Sequence, residues 1–379
     1  MNERIKVLLI CPTVACYIGG TETVVAQLSQ RLKSQVQLTV LSGESGHRKA
    51  DLIDTEGFQL LTVPFLGRDT RLNGFISKLL MCSPFKVESY SFFRSLTKSG
   101  MDISGYDCIA TFYEADAVLL SKWYPHLRER AKHFLPGVST RRFFRNVAAE
   151  NVFFLGYRAA SRAKKKWGVI IPSLPLGVDE EFFPQTLPAY PASRKLVYVG
   201  RLDKSKHVDW LMNFFAESEL NKNGYQLEIV GDGPLFEPLK ARFNGAKGIV
   251  FHGKKRQEDV VGILQQAHLL LHPTDHESFG LTILEAMAAG IPVITHDLTS
   301  IRAWASDHPR YATFLNQLSW IDEIAKFEVP AYWEAVSAAS RSHAESFTWH
   351  VLSTKMLHLM QNNTLMPEEK VILPQNEGV

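Results

Sequence analysis

The sequence predicts an α/β protein made of two doubly wound, parallel-sheet domains. Three observations carry this. Short apolar runs alternate with longer helical patterns along most of the 379 residues, which is the rhythm of right-handed βαβ units. The runs are continuous rather than alternating, as in Ile5–Cys11, and so suit strands covered on both faces. The rhythm breaks once, over residues 180–194, where Pro184, Pro188 and Pro191 are too close together for a helix or a central strand, and then resumes.

Taken in order, Ile5–Cys11 is the first strand. Val24, Val25, Leu28 and Leu32 then place a helix over Thr23–Lys33. Val36–Leu41, Leu60–Val63, Cys108–Phe112, Lys132–Leu135 and Val152–Leu155 read as further strands, Tyr157–Trp167 as a basic helix, and Val169–Pro172 as a strand. The Pro-rich segment reads as a linker. Beyond it, strands over Leu196–Val199, Leu227–Val230, Ile249–Phe251, His268–His272 and Pro292–Thr295 interleave with helices over Val208–Phe215, Leu235–Phe243, Asp259–Gln266 and Leu281–Ala289. Residues 363–379 show little periodicity and read as a loose tail.

Composition excludes several classes. With 45% hydrophobic and 21% charged residues the chain is too apolar to be disordered, and a net charge of +3 does not argue for nucleic acid. The two parts differ: residues 1–170 carry 24 basic and 14 acidic residues, net +10, and the remainder 18 and 25, net −7. The four cysteines (Cys11, Cys16, Cys82, Cys108) have no CxxC spacing and read as free thiols in a reducing cytoplasm. The run Val7–Cys11 is shorter than the ~7–15 residues of a signal-peptide core. No apolar stretch approaches the ~18–20 residues that span a bilayer. The expectation is a cytoplasmic protein, soluble or peripheral on the inner face of the membrane.

In doubly wound folds ligands bind where strands end, and four such loops stand out. Gly19-Gly20-Thr21-Glu22 precedes the first helix; paired glycines let backbone amides approach an anion at a helix N-terminus, or simply make a tight turn. Gly200-Arg201-Leu202-Asp203-Lys204-Ser205-Lys206 offers a guanidinium that can hold a phosphate by two parallel bonds and an ammonium beside it, or is a solvated basic turn. Gly231-Asp232-Gly233-Pro234 forms a floor for a flat ring, or a tight strand-to-helix turn. The fourth runs from His272 through Glu277-Ser278-Phe279-Gly280-Leu281 to Glu285 and on to Gly290-Ile291-Pro292-Val293. Here Gly280 opens a helix with free amides, and Glu285 can accept two hydrogen bonds from the vicinal hydroxyls of a ribose.

These four loops, in this order, resemble glycosyltransferase family 4, the retaining enzymes of the GT-B fold, from about residue 5 to about residue 360. The Glu277-x7-Glu285 stretch is the specific part. The resemblance implies two Rossmann-like domains facing each other across a cleft: an acceptor domain over 1–180, a donor domain over 195–345, and a helix over 346–362, entered at Thr348-Trp349, that crosses back to the first domain. It implies a nucleotide diphosphate-sugar, UDP favoured and GDP the alternative, as donor substrate, with no cofactor and no metal. Arg201 and Lys206, helped by the backbone amides at Gly280 and Leu281, would hold the diphosphate, and Gly200, Ser278 and Phe279 would also belong to the donor site. Glu285 would hold the ribose, Gly231 and Gly233 the base side, and Glu277 would lie beside the transferred sugar. Gly19 and Gly20 would close over the phosphates. His133, at a strand end, is similar to the family's histidine near the sugar, and a satisfied structural histidine is the other reading. Glu114-Ala115-Asp116 could suggest a metal and is read as plain loop acid.

The chain departs from the family pattern at Leu176, at Thr299–Trp304 and around Tyr311–Asn316, and the resemblance sets the last two at the edge of the donor pocket. Arg141, Arg142, Arg145, Arg158, Arg162 and Lys164–Lys166 face one acid, Glu150, with Phe143, Phe144, Phe153, Phe154 and Trp167 interleaved. Arg141–Lys166 is therefore a candidate for docking on an anionic membrane surface that carries a lipid-linked acceptor, or a solvated face with core aromatics behind it. The function expected is transfer of a sugar to a sugar or lipid-linked acceptor hydroxyl in bacterial-type polysaccharide or glycolipid synthesis. The alternatives are a non-catalytic sugar-nucleotide-binding subunit, or an epimerase or phosphorylase on the same architecture.

Overall fold

A computed structural model describes residues 4–44, 53–362 and 364. Most of the expected tail therefore lies outside the described residues. The chain divides into two compact units: the described residues up to Pro175 together with those from Trp349 on, and Leu176–Thr348.

The first unit contains β1 (Lys6–Ile10), α1 (Gly20–Leu32), β2 (Gln37–Glu44), β3 (Gln59–Pro64), α2 (Arg71–Leu79), α3 (Pro84–Ser99), β4 (Cys108–Thr111), α4 (Glu114–Trp123), β5 (Ala131–Leu135), β6 (Val152–Phe154) and α5 (Tyr157–Trp167). The second contains β7 (Lys195–Val199), α6 (Val208–Glu217), β8 (Gln226–Val230), α7 (Phe236–Arg242), β9 (Ile249–Gly253), α8 (Gln257–Gln265), β10 (Leu269–His272), α9 (Leu281–Ala288), β11 (Val293–His296), α10 (Thr299–Ala305), β12 (Arg310–Ala312), α11 (Gln317–Lys326) and α12 (Pro330–Ala344). A last helix, α13 (Trp349–Asn362), packs on α1 of the first unit.

Each unit has one six-stranded parallel sheet, ordered β3-β2-β1-β4-β5-β6 and β12-β11-β10-β7-β8-β9. Both sheets follow the doubly wound order in which the chain reverses direction beside the first strand, so each has a switch point, between β1 and β4 and between β7 and β10. The continuous apolar runs sit where both faces are covered: Val7, Leu8, Leu9 and Ile10 of β1 and Leu269, Leu270 and Leu271 of β10 are all buried. In the first unit one core cluster, with Leu8, Ile10, Phe92, Phe93 and Ile109, joins β1 and β4 to α3.

Two expectations are corrected here. Val169–Pro172 is not a strand; Phe154 meets Ser173 in a single isolated bridge. Pro172 has no N–H to offer a ladder. The Pro-rich segment 180–194 is not a free linker, since it belongs to the second unit. Arg341 donates to the Pro184 carbonyl (3.1 Å) and Tyr190 to the Glu328 carbonyl (3.5 Å). Its prolines keep it irregular while it lies against the unit that follows it.

Candidate active site

In the second unit the loops that leave β7 and β10 flank the switch point. The β7 loop is closed by backbone. The Gly200 amide donates to the Val230 carbonyl and the Leu202 amide to the Asp232 carbonyl, both at 3.0 Å. That packing explains the glycines in the next loop. A Cβ on Gly231 would lie 1.9 Å from the Gly200 oxygen, and one on Gly233 2.5 Å from the Leu202 oxygen. Both have positive φ, where only glycine is unstrained. The tight-turn reading therefore accounts for Gly231 and Gly233 without any ligand.

Arg201 stands on the rim with its side chain 68% exposed, and its Nε lies 3.4 Å from Asp203. Lys206 reaches across the switch point. Its Nζ donates to Glu277 Oε2 at 2.6 Å, both side chains being about one-fifth exposed. His272, at the end of β10, puts Nε2 3.5 Å from the same oxygen. Burial works to raise the Glu277 pKa, but the His272 contact and the Lys206 ammonium outweigh it and hold the carboxyl at about 2. Burial keeps His272 below its ordinary range, against the pull of Glu277. Glu277 is thus a fixed anion, able to accept hydrogen bonds but not to supply a proton near neutrality.

The β10 loop is fastened by Thr274, whose hydroxyl donates to the His276 carbonyl (3.0 Å). The Ser278 amide donates to Glu277 Oε1 at 3.0 Å. Gly280, at φ 87, caps α9, whose first amides lie beyond the helix's own hydrogen bonding. Phe279 lies in this loop with its side chain turned inward. Its ring is buried and stacks on Trp304 at 4.6 Å, while its carbonyl accepts from Trp304 Nε1 at 2.8 Å. Trp304 lies in the segment where the chain departs from the family pattern, and it holds the β10 loop through its stack and hydrogen bond on Phe279. Nothing in the sequence signals that contact.

Glu285 lies on α9. Its carboxyl is pushed up to about 7, first by burial and then by the charge of Asp179. A carboxyl poised there is ionised only in part at neutral pH, the kind of perturbed group that collects at functional sites.

In the first unit the corresponding loops hold a cavity of about 590 Å³, lined by Thr13 after β1, Tyr113 after β4, and Ser83, Phe85 and Tyr90. At its edge Thr13 Oγ1 (2.6 Å) and the Tyr113 hydroxyl (2.5 Å) both donate to Glu22 Oε1, and Arg68 Nε donates to Glu88 Oε1 (3.0 Å). Sequence reasoning took Glu22 as part of the glycine loop and missed this network, whose members are spread over the loops after β1 and β4, the segment before α2, and helices α1 and α3. Gly19 packs against Glu22: a Cβ there would meet Glu22 Oε2 at 2.6 Å, whereas one on Gly20 would meet nothing within 4 Å.

His133 is corrected. It lies in the middle of β5, not at its end, and is 2% exposed. Its Nδ1 pairs with Thr111 Oγ1 at 2.8 Å, and burial, helped by Lys132, lowers its pKa to about 3. The bond to Thr111 satisfies Nδ1 as the structural reading of this histidine requires. Glu114 accepts from the Ser139 amide (2.9 Å) and hydroxyl (2.8 Å), and Asp116 is wholly buried. The aromatics within Arg141–Lys166 are core. Phe143 and Phe154 belong to one buried cluster against which Phe144 and Trp167 pack, and Phe153 is buried as well. That segment offers charge alone. Among the described residues no helix is long and apolar enough to cross a membrane.

Residues 193–325, which span these loops of the second unit, match the family model described as Glycosyl transferases group 1, and this supports a glycosyltransferase. The two-sheet architecture is the GT-B fold. Sucrose-phosphate synthase from Thermosynechococcus elongatus superposes with a TM-score of 0.68 at 17% identity, covering 95% of this chain and 99% of that one. HepE of Anabaena in complex with UDP and glucose gives 0.68 at 14% identity, covering 94% and 100%. The GDP-mannose-dependent alpha-mannosyltransferase of Mycolicibacterium smegmatis is 34% identical over 181 residues, 46% of this chain and 42% of that protein. The chain thus spans less than half the length of this curated relative.

Proposed function

We propose that the protein is a metal-independent glycosyltransferase that moves a hexosyl group, with retention, from a nucleotide diphosphate-sugar to a hydroxyl of a sugar or lipid-linked acceptor. The observation that carries this is the Lys206–Glu277 pair across the switch point of the second sheet, inside the stretch that matches the glycosyltransferase model. The ammonium is a ready ligand for a diphosphate, and the carboxylate beside it stays ionised at working pH. As the donor breaks, negative charge grows on the leaving diphosphate. Arg201, Lys206 and the first amides of α9 supply the positive ends that stabilise it. Glu277 accepts hydrogen bonds from the transferred sugar and Glu285 from the ribose.

The family resemblance favours a UDP-sugar, and the mycobacterial relative's name makes GDP-mannose the second donor to test. The experiment is a nucleotide-release screen with UDP-glucose, UDP-galactose, UDP-N-acetylglucosamine and GDP-mannose, with and without sugar acceptors, in EDTA. Release from one donor, lost in Arg201→Ala and Glu285→Ala, is the expected result. Full activity in both variants overturns the site. Binding without release on any acceptor favours a non-catalytic sugar-nucleotide-binding subunit.

A further inference from the structure

We propose that the protein docks on an anionic phospholipid surface through the outward face of α2 and the turn after it, beside the mouth of the first unit's cavity. The helix is amphipathic in the inverted sense. The residues it buries are polar, Asn73 and Ser77. Asn73 Nδ2 donates to the Leu66 and Pro84 carbonyls (2.9 and 3.2 Å), and the Ser77 hydroxyl donates to Asn73 Oδ1 (2.9 Å). Thr70 caps the helix by accepting from the Asn73 amide. These bonds set the rotation of α2 and turn its apolar side outward. Leu72, Phe75 and Leu79, spaced to share one helix face, are exposed by 57%, 64% and 69%, and Leu80 and Met81 continue the patch at 64% and 94%.

Met81 sits at φ 48, a left-handed conformation that a long side chain rarely takes. Soluble surfaces rarely group large apolar side chains in this way unless something covers them.

Charge selects the occupant. Residues 70–87 contain Arg71, Lys78 and Lys86 and no acid. All three are exposed, and none is in an ion pair among the described residues. Apolar side chains ringed by cations fit the interface of an anionic bilayer, where the first enter the acyl boundary and the second meet headgroups. The patch also runs into the cavity. Phe85 and Tyr90, which line it, are themselves about half exposed and so form its rim. The basic helix α5 cannot play this part, because it buries Tyr157, Ala160 and Ala163 and presents no large apolar side chain outward.

The test is flotation of the full chain with vesicles of phosphatidylcholine alone and with about a third phosphatidylglycerol. Wild type is expected to float with the anionic vesicles, and the double variant F75E/L79E to lose about tenfold or more of that partition. R71S/K78S is expected to lose binding specifically to the anionic vesicles, in the manner of raised salt. Melting temperatures should stay unchanged, because every altered side chain is exposed. Vesicle binding uses no donor or acceptor, so the outcome does not depend on the proposed transfer activity. Wild type that floats with neither vesicle, or F75E/L79E that floats undiminished, overturns the proposal. So does a wild-type dimer in sedimentation velocity that F75E/L79E separates, which would assign the face to a second copy of the chain.

Discussion

Glu285 should tie donor binding to pH and cost the fold stability at the same time. Its carboxyl is raised from the ordinary 4.5 to about 7, first by burial and then by Asp179. A carboxyl raised in the folded state contributes stability that is fully present below its unfolded value and is lost as pH rises through about 7. The whole shift is worth about 3 kcal/mol at about 1.4 kcal/mol per unit. The side chain is not wholly sealed from solvent, so about 1–2 kcal/mol is the expected return. Glu285→Gln should therefore raise the unfolding free energy of the second unit's transition at pH 8 by that amount and leave it unchanged at pH 4. Donor binding should move the other way. If the ribose hydroxyls donate to the carboxylate, a group titrating at about 7 is roughly nine-tenths ionised at pH 8 and one-tenth at pH 6, so Kd should rise about tenfold between them. Calorimetry with an intact nucleotide-sugar is the right assay, because its diphosphate bridge does not titrate in that range. Glu285→Gln should bind weakly and show no such dependence. A wild-type Kd flat from pH 6 to 8, or a variant with no gain in stability at pH 8, would falsify the argument.

Other expectations are simpler. Arg201→Ala removes an exposed side chain and should leave stability within about 0.5 kcal/mol. Its lost charge-assisted bonds should weaken donor binding by roughly tenfold to a hundredfold, measured by titration at low salt. Glu277→Gln should lower kcat by about two to three orders of magnitude. It should also free Lys206, so that affinity for inorganic pyrophosphate rises rather than falls, a competition assay being enough to see it. Gly231→Ala should destabilise by about 3 kcal/mol or more, since its Cβ would lie 1.9 Å from the Gly200 oxygen; chemical denaturation checks this. His133→Asn should lower stability by about 1–3 kcal/mol through loss of the bond to Thr111 and leave kcat unchanged in the folded fraction.

The strands were legible because burial on both faces writes itself as a continuous apolar run, and Tyr157–Trp167 was legible as a helix to the residue. The stretch from Val63 to Cys108 was not. Apolar residues at 72, 75, 79, 80, 81, 85 and 90 describe no single buried stripe, because on α2 they face outward while Asn73 and Ser77 face in. The strand β12 is three residues long, too short to leave a period. At the site, Arg201, Lys206, Glu277 and Glu285 could be singled out from residue type and position after strands. Trp304 and the Thr13–Glu22–Tyr113 network could not, since Phe279 lies 25 residues from Trp304 and Tyr113 lies 91 from Glu22.

Residue pattern alone was enough for two doubly wound units and for the loops of the candidate site, because both are written locally, in runs of apolar residues and in the glycines and cations that follow them. Pairing and protonation belong to the tertiary structure. Lys206 and Glu277, 71 residues apart, meet at 2.6 Å because the sheet order sets β7 beside β10. The same acid type then titrates at about 2 in Glu277, beside an ammonium, and at about 7 in Glu285, buried near another carboxylate. Residue type is read from the chain, but the charge each carboxyl carries is set by what the fold packs around it.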